Sequence, residues 1–192
     1  MENKNQKAGS GKSGTLDEVR QKIDALDSKI QGLISDRARL ASAVRKSKGQ
    51  LENAVDYYRP EREAQVLRAV RERNQGPISD AEMLRLFREI MSVCLAQQEP
   101  LKIAYLGPEG TFTQQAVNRH FGHSVQAIGL TGIDDVFAQV ESSEADFGVV
   151  PVENSNQGIV SHTLDRFVDS DLKICGEIEM AIHHNLLSKA PS

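Results

Sequence analysis

Leu16, Val19, Ile23, Leu26, Ile30, Leu33, Leu40 and Val44 recur in alternating steps of three and four, with Arg37 completing the series between Leu33 and Leu40. Only a helix that buries a seam against another helix uses such spacing. Thr15 and Glu18 stand three apart at its start, the pattern of a capping box in which hydroxyl and carboxylate each satisfy an orphan backbone N–H. A helix from residue 16 to about 48 would be roughly 50 Å long at 1.5 Å per residue. That exceeds what a compact domain of this size buries by itself, so a partner chain is expected.

Two further helices follow in the first half. One begins near Pro60, a residue suited to the first turn because its missing N–H would be orphaned anyway, and stops before Asn74-Gln75-Gly76-Pro77. The other starts at Ser79, again three residues before a glutamate (Glu82), and carries Met83, Phe87, Ile90 and Cys94 on one face toward Gln98. Residues 1–14 are polar, rich in Gly, Ser and Lys, and without periodicity, as expected of a disordered arm. Gly11-Lys12-Ser13 has the end of a P-loop without its beginning, since Gln6 stands where the motif needs glycine.

Past residue 100 the chain changes in kind. Residues 1–100 hold 18 basic and 15 acidic side chains, residues 101–192 hold 5 and 12, and all five histidines lie in the second part. A boundary is therefore expected at Gln98-Glu99-Pro100. Leu101–Leu106, Val125–Leu130, Phe147–Val152 and Leu172–Ile182 read as strands, with helical stretches near 113–121, 133–141 and 159–168 between them. This alternation predicts an open, mostly parallel sheet with ligands at the carboxyl ends of its strands.

The cation in the apolar stripe is the first chemical signal. Arg37 buried without a counter-charge would be costly. Lys48, eleven residues on, is rotated only about 20° from it at 100° per residue, whereas Arg20 is rotated about 100° away. Inward cations need anions, either protein carboxylates or an acidic ligand. Arg59, Arg62 and Glu63 lie in or beside the first turn of the second helix, and Cys94 and Gln98 are four apart on the third. Spacing alone leaves open a helical bundle with surface ion pairs.

The segments VRQKIDALD (19–27), SDRARLASAV (35–44), Lys48, YRPERE (58–63) and LFREIMSVCLAQQ (86–98) resemble the all-helical chorismate mutase domain of bacterial bifunctional chorismate mutase/prephenate dehydratases. The resemblance spans residues 15–98 and implies a three-helix, all-α domain in an intertwined homodimer. It also implies that Arg37, Lys48, Arg62, Glu63 and Gln98 contact substrate, and that Arg20 comes from the second subunit. Arg37, Lys48, Glu63 and Gln98 would form the catalytic set. Arg59 and Cys94 occupy substrate-site positions too, where some members carry Asp and Ser.

In the second half, Leu-Gly-Pro-Glu-Gly-Thr-Phe-Thr (106–113) joins a strand to a helix, and Val-Val-Pro-Val-Glu-Asn-Ser-Asn-Gln-Gly-Ile-Val (149–160) follows another strand. With Thr163-Leu164-Asp165, these resemble the amino-terminal part of a prephenate dehydratase domain over residues 101–189. The resemblance implies a partial α/β lobe similar to periplasmic binding proteins, with Thr111, Glu153, Asn154 and Ser155 at a prephenate cleft. The family's Thr-Arg-Phe segment, which carries its essential threonine, does not occur in these 192 residues. The chain, with its incomplete dehydratase lobe over 101–192, is therefore expected to be a fragment of a longer bifunctional enzyme.

The implied function is conversion of chorismate to prephenate in phenylalanine biosynthesis, with no cofactor and no metal. The alternative is a non-catalytic dimerising helical module joined to an α/β ligand-binding regulatory lobe. Nucleic-acid binding is disfavoured because acids interleave with the basic residues. No apolar run reaches the roughly 18 residues of a membrane span, no signal-peptide core opens the chain, and two cysteines do not make a disulfide framework, so a cytoplasmic protein is expected.

Overall fold

A computed structural model describes residues 15–47, 58–97, 99–155, 158–183 and 186–187. Lys48, Gln98 and the expected arm at 1–14 lie outside the described residues. The chain divides into two compact units at Leu40/Ala41, within the first helix.

That helix, α1 (Leu16–Ser47), is a single run of 32 residues. Its capping box is formed in both directions: the Thr15 amide donates to Glu18 Oε2 (3.0 Å) and the Glu18 amide to Thr15 Oγ1 (3.4 Å). Asp17 and Glu18 in its first turn oppose the positive end of the helix dipole. From Leu16 to Leu33 the apolar stripe is open to solvent, with exposures between 45% for Val19 and 69% for Leu33. No helix of the described residues is long and apolar enough to cross a membrane.

The second unit includes a helical pair, α2 (Pro60–Arg73) and α3 (Asp80–Ala96), which pack on each other. Proline opens α2 where a cap side chain is lacking, and Arg71 and Arg73 favour its negative end. Asn74 spans the connection, its Nδ2 donating to the Ile78 carbonyl (2.9 Å) and to Asp80 Oδ1 (2.7 Å). Ser79 caps α3 by accepting from the Glu82 amide at 3.3 Å. Here the box is one-sided, because the Glu82 carboxylate turns to Arg85 instead (2.7 Å).

Beyond it lies a three-stranded parallel sheet of β1 (Lys102–Leu106), β2 (Gln126–Leu130) and β3 (Phe147–Val149), in the order β2-β1-β3. Central β1 is buried on both faces, as parallel strands are. Its period of two sorts the core: Ile103 and Tyr105 meet Val117 and Phe121 of α4 (Phe112–Phe121), while Ala104 meets Val136 of α5 (Ile133–Glu141). Helices thus cover opposite faces. Tyr58 and Leu95 of the helical segment join the first cluster.

β3 stops at Val149, three residues short of the expected end, because Pro151 has no N–H to continue a ladder. A two-residue hairpin, β4 (Glu153–Asn154) with β5 (Gly158–Ile159), follows it. α6 (Ser161–Asp169) is fastened by Thr163, fully buried, whose hydroxyl donates to the Pro151 carbonyl at 2.7 Å. The expected strand at Leu172–Ile182 is not formed: the segment is irregular throughout. Its apolar alternation is real, but a strand exists only when a neighbour accepts its ladder, and Gly176 weakens it at the middle.

Candidate functional site

Among the helical residues, α1 carries Arg20 and Arg37. Arg20 is exposed, with Nη1 3.6 Å from Asp17 Oδ1 one turn earlier. An exposed pair of this kind is worth little and leaves the guanidinium free to exchange partners. Arg37, on the seam, is half-buried.

In the second unit, Arg59 stands at the N-cap of α2 in extended backbone and is exposed. Arg62 is exposed too and donates to Gln65 Oε1 at 3.3 Å. Glu63 differs from both. It points inward, its side chain 17% exposed, with Arg88 Nε of α3 3.6 Å from its Oε1. The Tyr58 side chain lies near the same carboxylate. Burial raises the Glu63 pKa above the ordinary carboxyl value, against the opposing pull of the Tyr58 hydrogen bond and the Arg88 charge. Cys94, 1% exposed, is packed on α3.

The structure therefore brings Glu63 to two residues that sequence reasoning left out, Arg88 and Tyr58. A signal for Tyr58 was present. It holds the N′ position of α2 and Glu63 the N4 position, the pair a hydrophobic staple joins, here with a phenol and a carboxylate in place of two apolar groups. Arg88 had no such local mark, because its meeting with Glu63 depends on how α2 packs on α3.

The second candidate site follows from the sheet order. The chain leaves β1 for β2 on one side and returns to β3 on the other, so the strand order reverses between β1 and β3. A crevice opens at the carboxyl ends of strands at such a point. The loops leaving those two ends are 107–111 and 150–155. Thr111 caps α4, accepting from the Gln114 amide and donating to the Leu106 carbonyl, each at 3.4 Å. The Gly110 amide donates to Gln114 Oε1 at 2.6 Å. Glu153, Asn154 and Ser155 are exposed, the first two in β4 and the third in the turn that follows. Thr111 thus fixes the backbone of one loop, while the other presents three polar side chains.

Residues 19–99 match the family model of chorismate mutase type II, and residues 103–192 match that of prephenate dehydratase. A bifunctional chorismate mutase/prephenate dehydratase of Stutzerimonas stutzeri is 54% identical over 176 residues, covering 90% of this chain and 48% of that protein. Over most of its length the chain is similar to these bifunctional proteins. The Pseudomonas aeruginosa member is 53% identical over 175 residues, with the same coverage, and the Escherichia coli K12 member 32% identical over 191 residues, 88% of this chain. The chain spans about half the length of the curated relatives it matches. The two matched segments follow the order of the two activities in the relatives' name.

Proposed function

We propose that residues 15–98 form a chorismate mutase domain that converts chorismate to prephenate. The observation that carries this reading is that Arg20, Arg37, Lys48, Arg62, Glu63 and Gln98 all stand in the segment matched by the chorismate mutase type II family.

Chorismate is a dianion that rearranges by a concerted [3,3] shift, which asks for no nucleophile and no proton transfer. A site can accelerate it by holding the reactive conformer and by placing donors where charge develops on the ether oxygen. In this reading Arg20, Arg37 and Arg62 clamp the carboxylates, and Arg59 and Cys94 are further substrate-site positions. Lys48 and Gln98 donate to the ether oxygen. Glu63 accepts the ring hydroxyl, a role that its inward orientation beside Arg88 prepares.

Two subunits complete the site. The exposed stripe from Leu16 to Leu33 supports a homodimer paired along α1, with Arg20 reaching the neighbouring subunit's ligand. Residues 101–192 serve a prephenate dehydratase of periplasmic-binding-protein-like architecture, with Glu153, Asn154 and Ser155 at the crevice between β1 and β3. Thr111 shapes that crevice through the backbone. Free Cys94 and Cys175 agree with a reducing, cytoplasmic setting.

Loss of chorismate, with prephenate formed mole for mole, tests the reading in the purified chain. Lys48→Ala should lower turnover by a factor of about 100 to 1,000, the usual cost of deleting a preorganised donor at a developing oxyanion. Undiminished turnover in that variant would remove Lys48 from the mechanism.

A further inference from the structure

Glu63 stands near side chains from two other segments. From α3 comes Arg88, whose side chain is 27% exposed; its Nε is buried, lies 3.6 Å from Glu63 Oε1 and has no hydrogen-bond partner. From the segment before α2 comes Tyr58, whose ring stands edge-on to Phe147 (5.4 Å, 84°) and tilted against Phe121 (5.9 Å, 52°). Aromatic packing on two sides leaves the phenol little freedom to turn.

We propose that Arg88 and Tyr58 are positioning residues for Glu63: Arg88 supplies its counter-charge, and Tyr58, seated on the Phe121 and Phe147 rings, fixes the direction of its carboxylate. The proposal rests on the chorismate mutase reading for its functional meaning, but the contact itself does not. A carboxylate that accepts a ring hydroxyl must be ionised and must offer the right oxygen, and burial works against the first requirement.

The other groups around the pair do not compete for this role. His120 of α4 is held below the ordinary histidine pKa by burial and by the Arg88 charge. The Tyr58 hydroxyl is pushed well above its usual range by burial, then by Glu63, so it stays a donor at every working pH. Cys175, from the irregular segment after α6, is a further group near Tyr58. Glu63 is thus the group whose titration the pair controls. Because Phe121 and Phe147 belong to the α/β segment, the second family segment supplies the seat for a residue of the first.

The test is titration of the Glu63 carboxyl by carbon NMR in the full chain with labelled glutamate, assigned by its disappearance in Glu63→Gln. It is read alongside the pH profile of chorismate turnover. Arg88→Gln should raise the Glu63 pKa by about one unit and move the acid limb of kcat/KM upward by the same amount. Arg88→Lys should restore much of both, and Tyr58→Phe should raise the pKa with kcat falling more than KM changes. An unmoved carboxyl titration in Arg88→Gln and Tyr58→Phe, even with activity lost evenly at all pH, would overturn the proposal and leave the pair a merely structural contact. Should Arg88→Gln fail to fold, Arg88→Lys and Tyr58→Phe decide by the same titration. Absence of turnover in the unaltered chain would instead overturn the mutase reading, with the NMR titration still deciding the positioning.

Discussion

At the residue scale, Glu89 and Ser92 finish a helix to which they do not belong. The amides of His123 and Ser124, just past the end of α4, donate to Glu89 Oε2 (3.2 Å) and Ser92 Oγ (3.3 Å), and the His123 ring meets Glu89 Oε1 at 2.7 Å. Gly122 makes this approach possible: its φ is 79°, and a Cβ there would fall 2.6 Å from Ser92 Cβ. Gly122→Ala should therefore cost about 2–4 kcal/mol in urea unfolding, combining left-handed strain with overpacking. Burial raises the Glu89 pKa, but the His123 hydrogen bonds outweigh it and hold the carboxyl below its usual range. The stability from this group is thus present above the unfolded carboxyl pKa and lost as pH falls through the lower folded value. Glu89→Gln should lose about 1 kcal/mol at pH 7 and show a shallower acid decline, checked by unfolding at pH 7 and pH 4. None of these contacts was legible in the sequence. They join residues more than thirty positions apart, whereas the capping pair Thr15 and Glu18, three apart, was read directly and is formed.

At the element scale, helices were the most legible parts because their signals are local: α1 and α3 begin at the predicted caps, α2 begins at the predicted Pro60, and α5 occupies its predicted range. Strands depend on partners. β1 and β2 were readable as dense apolar runs between turn residues, but Leu172–Ile182 carries the same pattern and finds no ladder. The β4/β5 hairpin, two residues a side, is too short to show any period. α6 is anchored by one buried hydrogen bond, so Thr163→Val, similar in shape, should lose about 1–2 kcal/mol through the unsatisfied Pro151 carbonyl. For α1, the exposed stripe predicts self-association. Ile23→Asp with Ile30→Asp should convert the chain from dimer to monomer in sedimentation equilibrium, since each buried isoleucine contributes about 1.5–3 kcal/mol. A monomeric parent chain would contradict that pairing.

At the scale of the whole molecule, the change of period and charge near residue 100 predicts two segments, the two family models match residues 19–99 and 103–192, and the compact units divide at Leu40/Ala41. What composition could not reveal is that α2 and α3 share a compact unit with the sheet, Tyr58 lying among Ile103, Phe121 and Phe147. The second activity should be silent in these 192 residues, which lack the Thr-Arg-Phe segment that the family resemblance makes essential; phenylpyruvate should not form from prephenate above a heat-denatured control. The claim on which the rest depends is the first activity, and one assay tests it most directly: chorismate consumption by the purified chain, side by side with Lys48→Ala. Prephenate should form in step with chorismate lost, and turnover in the variant should fall by a factor of about 100 to 1,000. Chorismate that persists as it does in buffer, or a variant as active as the parent chain, would contradict that claim.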